Sequence, residues 1–181
     1  MTTDAATRTV LLSIARGAIH AAVTGAQAPA VSDAAILHEE RGVFVTLTHG
    51  GRLRGCIGRI EADIPLSALL PLMAVASATE DPRFPAVSAR ELDGLHIEIS
   101  LLTPLALLAS PGTIEIGRHG LLVHARGRRG VLLPQVAAEY GWNADEFLAQ
   151  TCLKAALPAD AWKHADTRVH TFETEIIAEA G

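Results

Sequence analysis

Leu53 to Gly58 reads LRGCIG, and it sets one of the chain's two cysteines between glycines, two residues after an arginine. On an extended strand alternate side chains share a face, so Arg54 and Cys56 project together, about 7 Å apart at the backbone. A guanidinium at that range favours a thiolate, and Gly55 and Gly58 leave room for a substrate or another backbone to approach. This is the pattern of an accessible nucleophile beside an anion-binding group. The same residues fit a second arrangement, a small thiol packed between glycines with Arg54 bound to a structural carboxylate, in which burial works against the thiolate.

Other residues able to do chemistry are scattered. In LHIEISLL, the side chains of His96, Glu98 and Ser100 share the polar side of an alternating strand, where Glu98 could orient Arg54 or act as a base. His119 stands in GRHGL, a turn where it could exchange protons near neutral pH or simply be exposed. Asp81 and Arg83 of DPRF suit a loop fixed by the aspartate and anchored by Phe84, with Arg83 a further candidate for substrate contact. The eight histidines and two cysteines contain no H-x-x-x-H or C-x-x-C spacing, so no metal site held by this chain alone is expected, and no P-loop or G-x-G-x-x-G is present. Cys152 falls on the apolar stripe of a helix and is assigned to the core.

Composition narrows the classes. With 15 Lys plus Arg against 20 Asp plus Glu, the formal charge of -5 gives no general attraction to nucleic acid or to an acidic membrane, so any anion site must be local. Aromatics at 4% offer few stacking platforms for single strands, and the arginine cluster Arg126, Arg128 and Arg129 is better read as a solvated hairpin tip. No apolar run approaches the roughly 20 residues that span a bilayer, and MTTDAATR lacks the basic start of a secretory signal, so a cytoplasmic location and free thiols are expected.

The elements that must position these groups follow from periodicity. Val10, Leu11, Ile14, Ala15, Ala18 and Ile19 predict an amphipathic helix over about 5–24, stopped by Gly25, with a loop through GAQAPAVSDAA. GVFVTLTH and RLRGCIG, joined by Gly50 and Gly51, predict a hairpin over about 42–59. A strict two-residue turn puts Arg54 and Cys56 on the face of Val43, Val45 and Leu47; a one-residue change in register puts them on the other face. A helix over 65–80 carries Pro71, either as a kink or as its true first turn. Leu95, Ile97, Ile99 and Leu101 mark the core side of a strand. Short strands follow around Gly117, Gly120, Gly127 and Gly130, then a short helix from Pro134 to Gly141, a second capped by Asn143 and Glu146, and a last strand in RVHTFETEII. The sum is one domain over 1–181 of the α+β class, with a mainly antiparallel sheet and flanking helices.

Seven segments in order, GVFVTL, LRGCIG, DPRF, IEISLL, GRHGL, LLPQVA and FLAQTCLKAAL, make the chain resemble the AMMECR domain family, whose bacterial and archaeal members are called AmmeMemoRadiSam system protein A. The resemblance implies an α+β fold of two unequal lobes with LRGCIG near a cleft between them. It also implies work alongside a Memo-type protein and a radical SAM protein, the latter carrying S-adenosylmethionine and an iron–sulfur cluster, with no cofactor in this chain itself. It implies no reaction. The sequence departs from the family pattern at Ala156, where glycine is usual, and at Ala86, where a second proline is common. Three functions then compete: a cysteine-dependent enzyme in which Cys56 attacks and Arg54 holds an anionic group, a non-catalytic module binding a small anion or a partner segment at Gly55 and Gly58, and, ranked last, a nucleic-acid binder.

Overall fold

A computed structural model describes residues 3–27 and 34–180. Most of the expected loop in GAQAPAVSDAA lies outside them. The described residues hold helices and antiparallel strand pairs without a strand–helix repeat, an α+β fold. They divide into two unequal units, Met1–Leu102 with Glu175–Gly181, and Thr103–Thr174.

In the first unit, α1 (Ala5–Thr24) starts where the Asp4 side chain accepts the Thr7 N–H and stops at Gly25, whose φ of 74° is the left-handed value glycine adopts without cost. The hairpin strands β1 (Val43–His49) and β2 (Arg52–Arg59) are joined by Gly50 and Gly51, both at positive φ. α2 (Leu66–Thr79) continues past Pro71, so the proline is neither its first turn nor its end. β3 (Leu95–Leu102) pairs with the other edge of β1, giving the order β2-β1-β3 with the end of β7 (Arg168–Ala178) next. Val43, Val45 and Leu47 of β1 and Leu95, Ile97, Ile99 and Leu101 of β3 are buried in one cluster with Leu11, Ile14 and Ile19 of α1 and Leu66, Leu69 and Leu70 of α2. The alternation read from the sequence therefore points one sheet face at two helices.

α2 approaches β2 more closely than side chains would permit. A Cβ on Gly55 would lie 2.0 Å from the Ser77 carbonyl oxygen, so glycine is required for the helix to sit there. Ser77 is 1% exposed, and its hydroxyl accepts the Ile57 N–H at 3.0 Å while lying 2.8 Å from the Val45 carbonyl and 2.7 Å from that of Met73. A buried polar group at the helix–sheet contact is thereby satisfied.

The second unit orders its strands as β4 (Ala106–Leu107), the first part of β7, β5 (His119–Ala125) and β6 (Arg128–Leu132). α3 (Pro134–Tyr140) begins at a proline and ends at Gly141, and α4 (Ala144–Lys154) has the expected capping box of Asn143 and Glu146. Phe147, Leu148 and Cys152 of α4 join Leu121 and Val123 in the core of this unit. The departure at Ala156 has a geometric counterpart. Ala156 ends the α4 region at φ 55°, a left-handed conformation that a Cβ disfavours. Ala156→Gly should raise stability by about 1 kcal/mol, read as a higher midpoint in urea with an unchanged slope.

Candidate functional site

The geometry around Cys56 turns on one extra residue. From His49↔Arg52 and Thr48↔Leu53 the hairpin pairs in the strict register, but the next pair is Leu47↔Gly55, leaving Arg54 as a bulge. Beyond it every side chain of β2 is on the opposite face from the one a strict turn would give. Cys56 pairs with Thr46, not Val45, and so stands on the sheet face turned away from α1 and α2. Its Sγ lies 3.3 Å from the Thr46 hydroxyl, and the residue is half-buried.

Arg54 does not face the thiol as a free charge. Its Nε donates to Glu91 Oε1 at 2.7 Å, Nη2 to Glu91 Oε2 at 3.3 Å, and the guanidinium also donates to the carbonyls of Pro85 (2.8 Å) and Ala86 (3.3 Å). The partner acid is thus Glu91 and not Glu98, and the guanidinium that the sequence placed beside the thiol as an anion holder is committed to a fold contact. With the Arg54 side chain 13% exposed and that of Glu91 28%, this is a partly buried fork-shaped pair. Glu91 also accepts the Ser88 N–H and hydroxyl, and the Arg54 hydrogen bond, with the Ser88 backbone contact next, lowers its carboxyl to about 2.

DPRF holds the other side of β2, which is the edge strand of its sheet. Asp81 Oδ2 accepts the Cys56 N–H at 2.8 Å, and both Asp81 oxygens take the Arg83 guanidinium, at 2.9 and 2.7 Å. Arg83 Nη2 in turn lies 3.4 Å from the Cys56 carbonyl, a long contact. The buried Asp81 and the exposed Arg83 together do for the Cys56 backbone what a neighbouring strand would do. The Arg83 hydrogen bond, helped by the Cys56 and Arg83 N–H groups, holds the Asp81 carboxyl well below the usual carboxylate range against the cost of burial.

The remaining candidates separate. Glu98 pairs with Thr46 on the side opposite Cys56, so Cys56, Thr46 and Glu98 form one row across three strands on one face. Ser100 lies opposite Phe44 on this face and is 3% exposed, and His96 Nε2 is 2.8 Å from the Glu179 carbonyl. The space above Gly58 is filled by the Phe44 ring, 2.1 Å from where a Cβ would be, as that above Gly55 is filled by Ser77. His119 belongs to the second unit, where its Nδ1 accepts the Glu115 N–H at 3.0 Å. Among the described residues no three His, Cys, Asp or Glu side chains converge as metal ligands, and no helix is long and apolar enough to cross a membrane.

Thr46, Ser77 and Glu91 are the residues that sequence reasoning missed. Ser88-x-x-Glu91 had the spacing of a capping box and could have drawn attention to Glu91; Thr46 needed the register.

A sheet whose edge strand is bulged and clamped to present a cysteine, with the segments LRGCIG and DPRF fastened to each other, defines the class. The AMMECR1 family profile matches residues 12–177, and the chain belongs to that family. A protein of Methanothermobacter thermautotrophicus is 44% identical, the match covering 94% of this chain and 93% of that protein. Protein MJ0810 of Methanocaldococcus jannaschii is 40% identical over 94% of this chain and 89% of its own length. The crystal structure of the uncharacterized protein PH0010 from Pyrococcus horikoshii superposes with a TM-score of 0.84 at 39% identity, covering 97% of this chain and 92% of that one.

Removing the Glu91 carboxylate leaves the partly buried Arg54 with only the Pro85 and Ala86 carbonyls as partners and without its counter-charge. Glu91→Ala should cost about 3 kcal/mol and lower Tm by on the order of 10 °C in thermal unfolding. Because the Glu91 carboxyl is lowered in the fold from its ordinary 4.5 to about 2, its contribution is fully present above the unfolded value and is lost as pH falls through the folded one. Between about pH 5 and pH 2 the wild type should therefore lose stability more steeply than Glu91→Gln, measured by urea unfolding across that range.

Proposed function

We propose that this chain supplies the reactive thiol in a modification or metabolic pathway worked together with a Memo-type protein and a radical SAM protein. The observation that carries the reading is the contrast between the two cysteines. Cys56 is half-buried on the sheet face opposite α1 and α2, hydrogen-bonded to Thr46 with its backbone N–H fixed by Asp81. Cys152 is 0% exposed, and burial pushes its thiol up. A nucleophile needs this combination of access and fixed position.

In the reaction class that follows, Cys56 Sγ forms a bond to the electrophilic carbon of an acyl or alkyl donor. The leaving group departs with the bonding electrons, and the thiol proton passes to solvent by way of the Thr46 hydroxyl. Among the described residues no histidine or carboxylate is hydrogen-bonded to Sγ to act as a base, which favours a donor that arrives already activated from the partner proteins. S-adenosylmethionine and the iron–sulfur cluster belong in this scheme to the radical SAM partner. The isolated chain turns over no generic ester or amide.

A short iodoacetamide pulse on the folded protein at neutral pH, resolved by site with mass spectrometry, should label Cys56 and leave Cys152 unlabelled; equal protection of both removes the nucleophile reading. The pathway claim is tested by co-expressing the three proteins and comparing metabolites for wild type and Cys56→Ser at equal protein level. The substitution should abolish the difference that the wild-type chain makes, whereas an unchanged profile would reduce Cys56 to a structural residue and leave a binding module.

A further inference from the structure

In the unit Thr103–Thr174, the sheet face opposite α4 carries a row of basic side chains. Val123, Ala125 and Val169 turn toward the cluster with α4, so the alternate residues His124 and Arg168 turn away from it. His124 of β5 is paired with Arg129 of β6 on one side and with Arg168 of β7 on the other, and all three are exposed. The next row on this face is Val131, Leu122, His170 and Leu107, so neither row holds an acid. The other arginines of the hairpin are spent, Arg126 on Asp166 and Arg128 on the Ala156 carbonyl. Arg129 has a contact of its own as well, whereas among the described residues Arg168 and His124 make no hydrogen bond or ion pair.

His170 adds an independent sign of a ligand. Its Nδ1 is buried without a hydrogen-bond partner, and burial, with the positive Arg168 and His124 adding to it, pushes the ring down from its usual value. A proton on that buried nitrogen would be stranded, which assigns the proton of the neutral ring to Nε2 as a fixed donor. Like charges set opposite one another across strands do not stabilise the pairing, and an anion between them turns repulsion into charge-assisted hydrogen bonds. Arg129 and Arg168 stand two strands apart, about 10 Å at the backbone. Donors spread that widely suit a tetrahedral phosphate, whose oxygens point several ways, better than a planar carboxylate. We propose that Arg168, His124 and His170, with Arg129 across the row, bind the phosphate group of a small phosphorylated ligand. Leu107, 67% exposed and paired with His170, offers apolar surface to the organic part. The site lies wholly within Thr103–Thr174 and does not depend on the reading of Cys56.

The test is a titration of the full chain with inorganic phosphate at constant pH and ionic strength, followed in proton–carbon NMR spectra of the histidine rings. The His124 and His170 signals should move together along one saturable curve while that of His119 stays in place. Acetate should bind about 10-fold more weakly than phosphate, and Arg168→Gln should weaken phosphate about 10-fold, with Arg168→Lys in between. Without phosphate, Arg168→Gln should melt no lower than the wild type, because it removes a repulsion. If it does melt lower, the wild-type titration decides, through the preference for phosphate over acetate and the joint movement of the two rings. No saturable movement, equal response to acetate, or a curve unchanged in a folded Arg168→Gln overturns the proposal. Cosedimentation with phosphatidic acid vesicles in the absence of any response to free phosphate would make the source a lipid headgroup and overturn the small-ligand reading.

Discussion

The bulge at Arg54 is the constraint from which the rest of the site follows. A strand has a side-chain period of two, so one inserted residue moves everything after it to the other face. Without the bulge Cys56 would pair with Val45 and enter the cluster under α1 and α2; with it, the thiol meets Thr46 on the opposite face. A bulge leaves a residue outside the ladder, and the contacts that hold it are strong ones. Arg54 is fastened to a carboxylate and two carbonyls, and the neighbouring Cys56 backbone is fastened to Asp81.

This accounts for the composition of both motifs. In LRGCIG the arginine secures the bulge, the first glycine admits the Ser77 carbonyl of α2, the cysteine faces outward and the second glycine lies beneath Phe44. In DPRF the aspartate and arginine substitute for a missing neighbour strand. Arg54 and Asp81, which looked like chemistry in the sequence, therefore hold the strand in place, and Cys56, Thr46 and Glu98 stand in one row on the face opposite α1 and α2. The Cys56 backbone, closed in this way, no longer offers a free N–H to a further strand.

Much of the fold was legible because periodicity and punctuation are local. Asp4 and Gly25 bound α1, Asn143 and Glu146 start α4, and the alternation from Leu95 to Leu101 gives the core side of β3 directly. Pro71 was ambiguous because a proline inside a helix is tolerated only where packing compensates, as it is in α2, whose Leu66, Leu69 and Leu70 are fully buried. The candidate site was legible as to its motif and ambiguous as to its geometry. Which face Cys56 takes depends on a single unpaired residue, and which acid Arg54 takes depends on a loop folding back from Ser88 to Gly94; neither leaves a periodic trace in the sequence.

The most direct measurement is disulfide trapping across the hairpin. Cα atoms paired across antiparallel strands lie within the range a disulfide spans, and side chains on opposite faces cannot meet. In Thr46→Cys, mild oxidation should link residue 46 to Cys56, detected as a cross-linked peptide pair by mass spectrometry, while Val45→Cys should give no such link. A bond from position 45 to Cys56, with none from position 46, would place the thiol in the core and contradict the account.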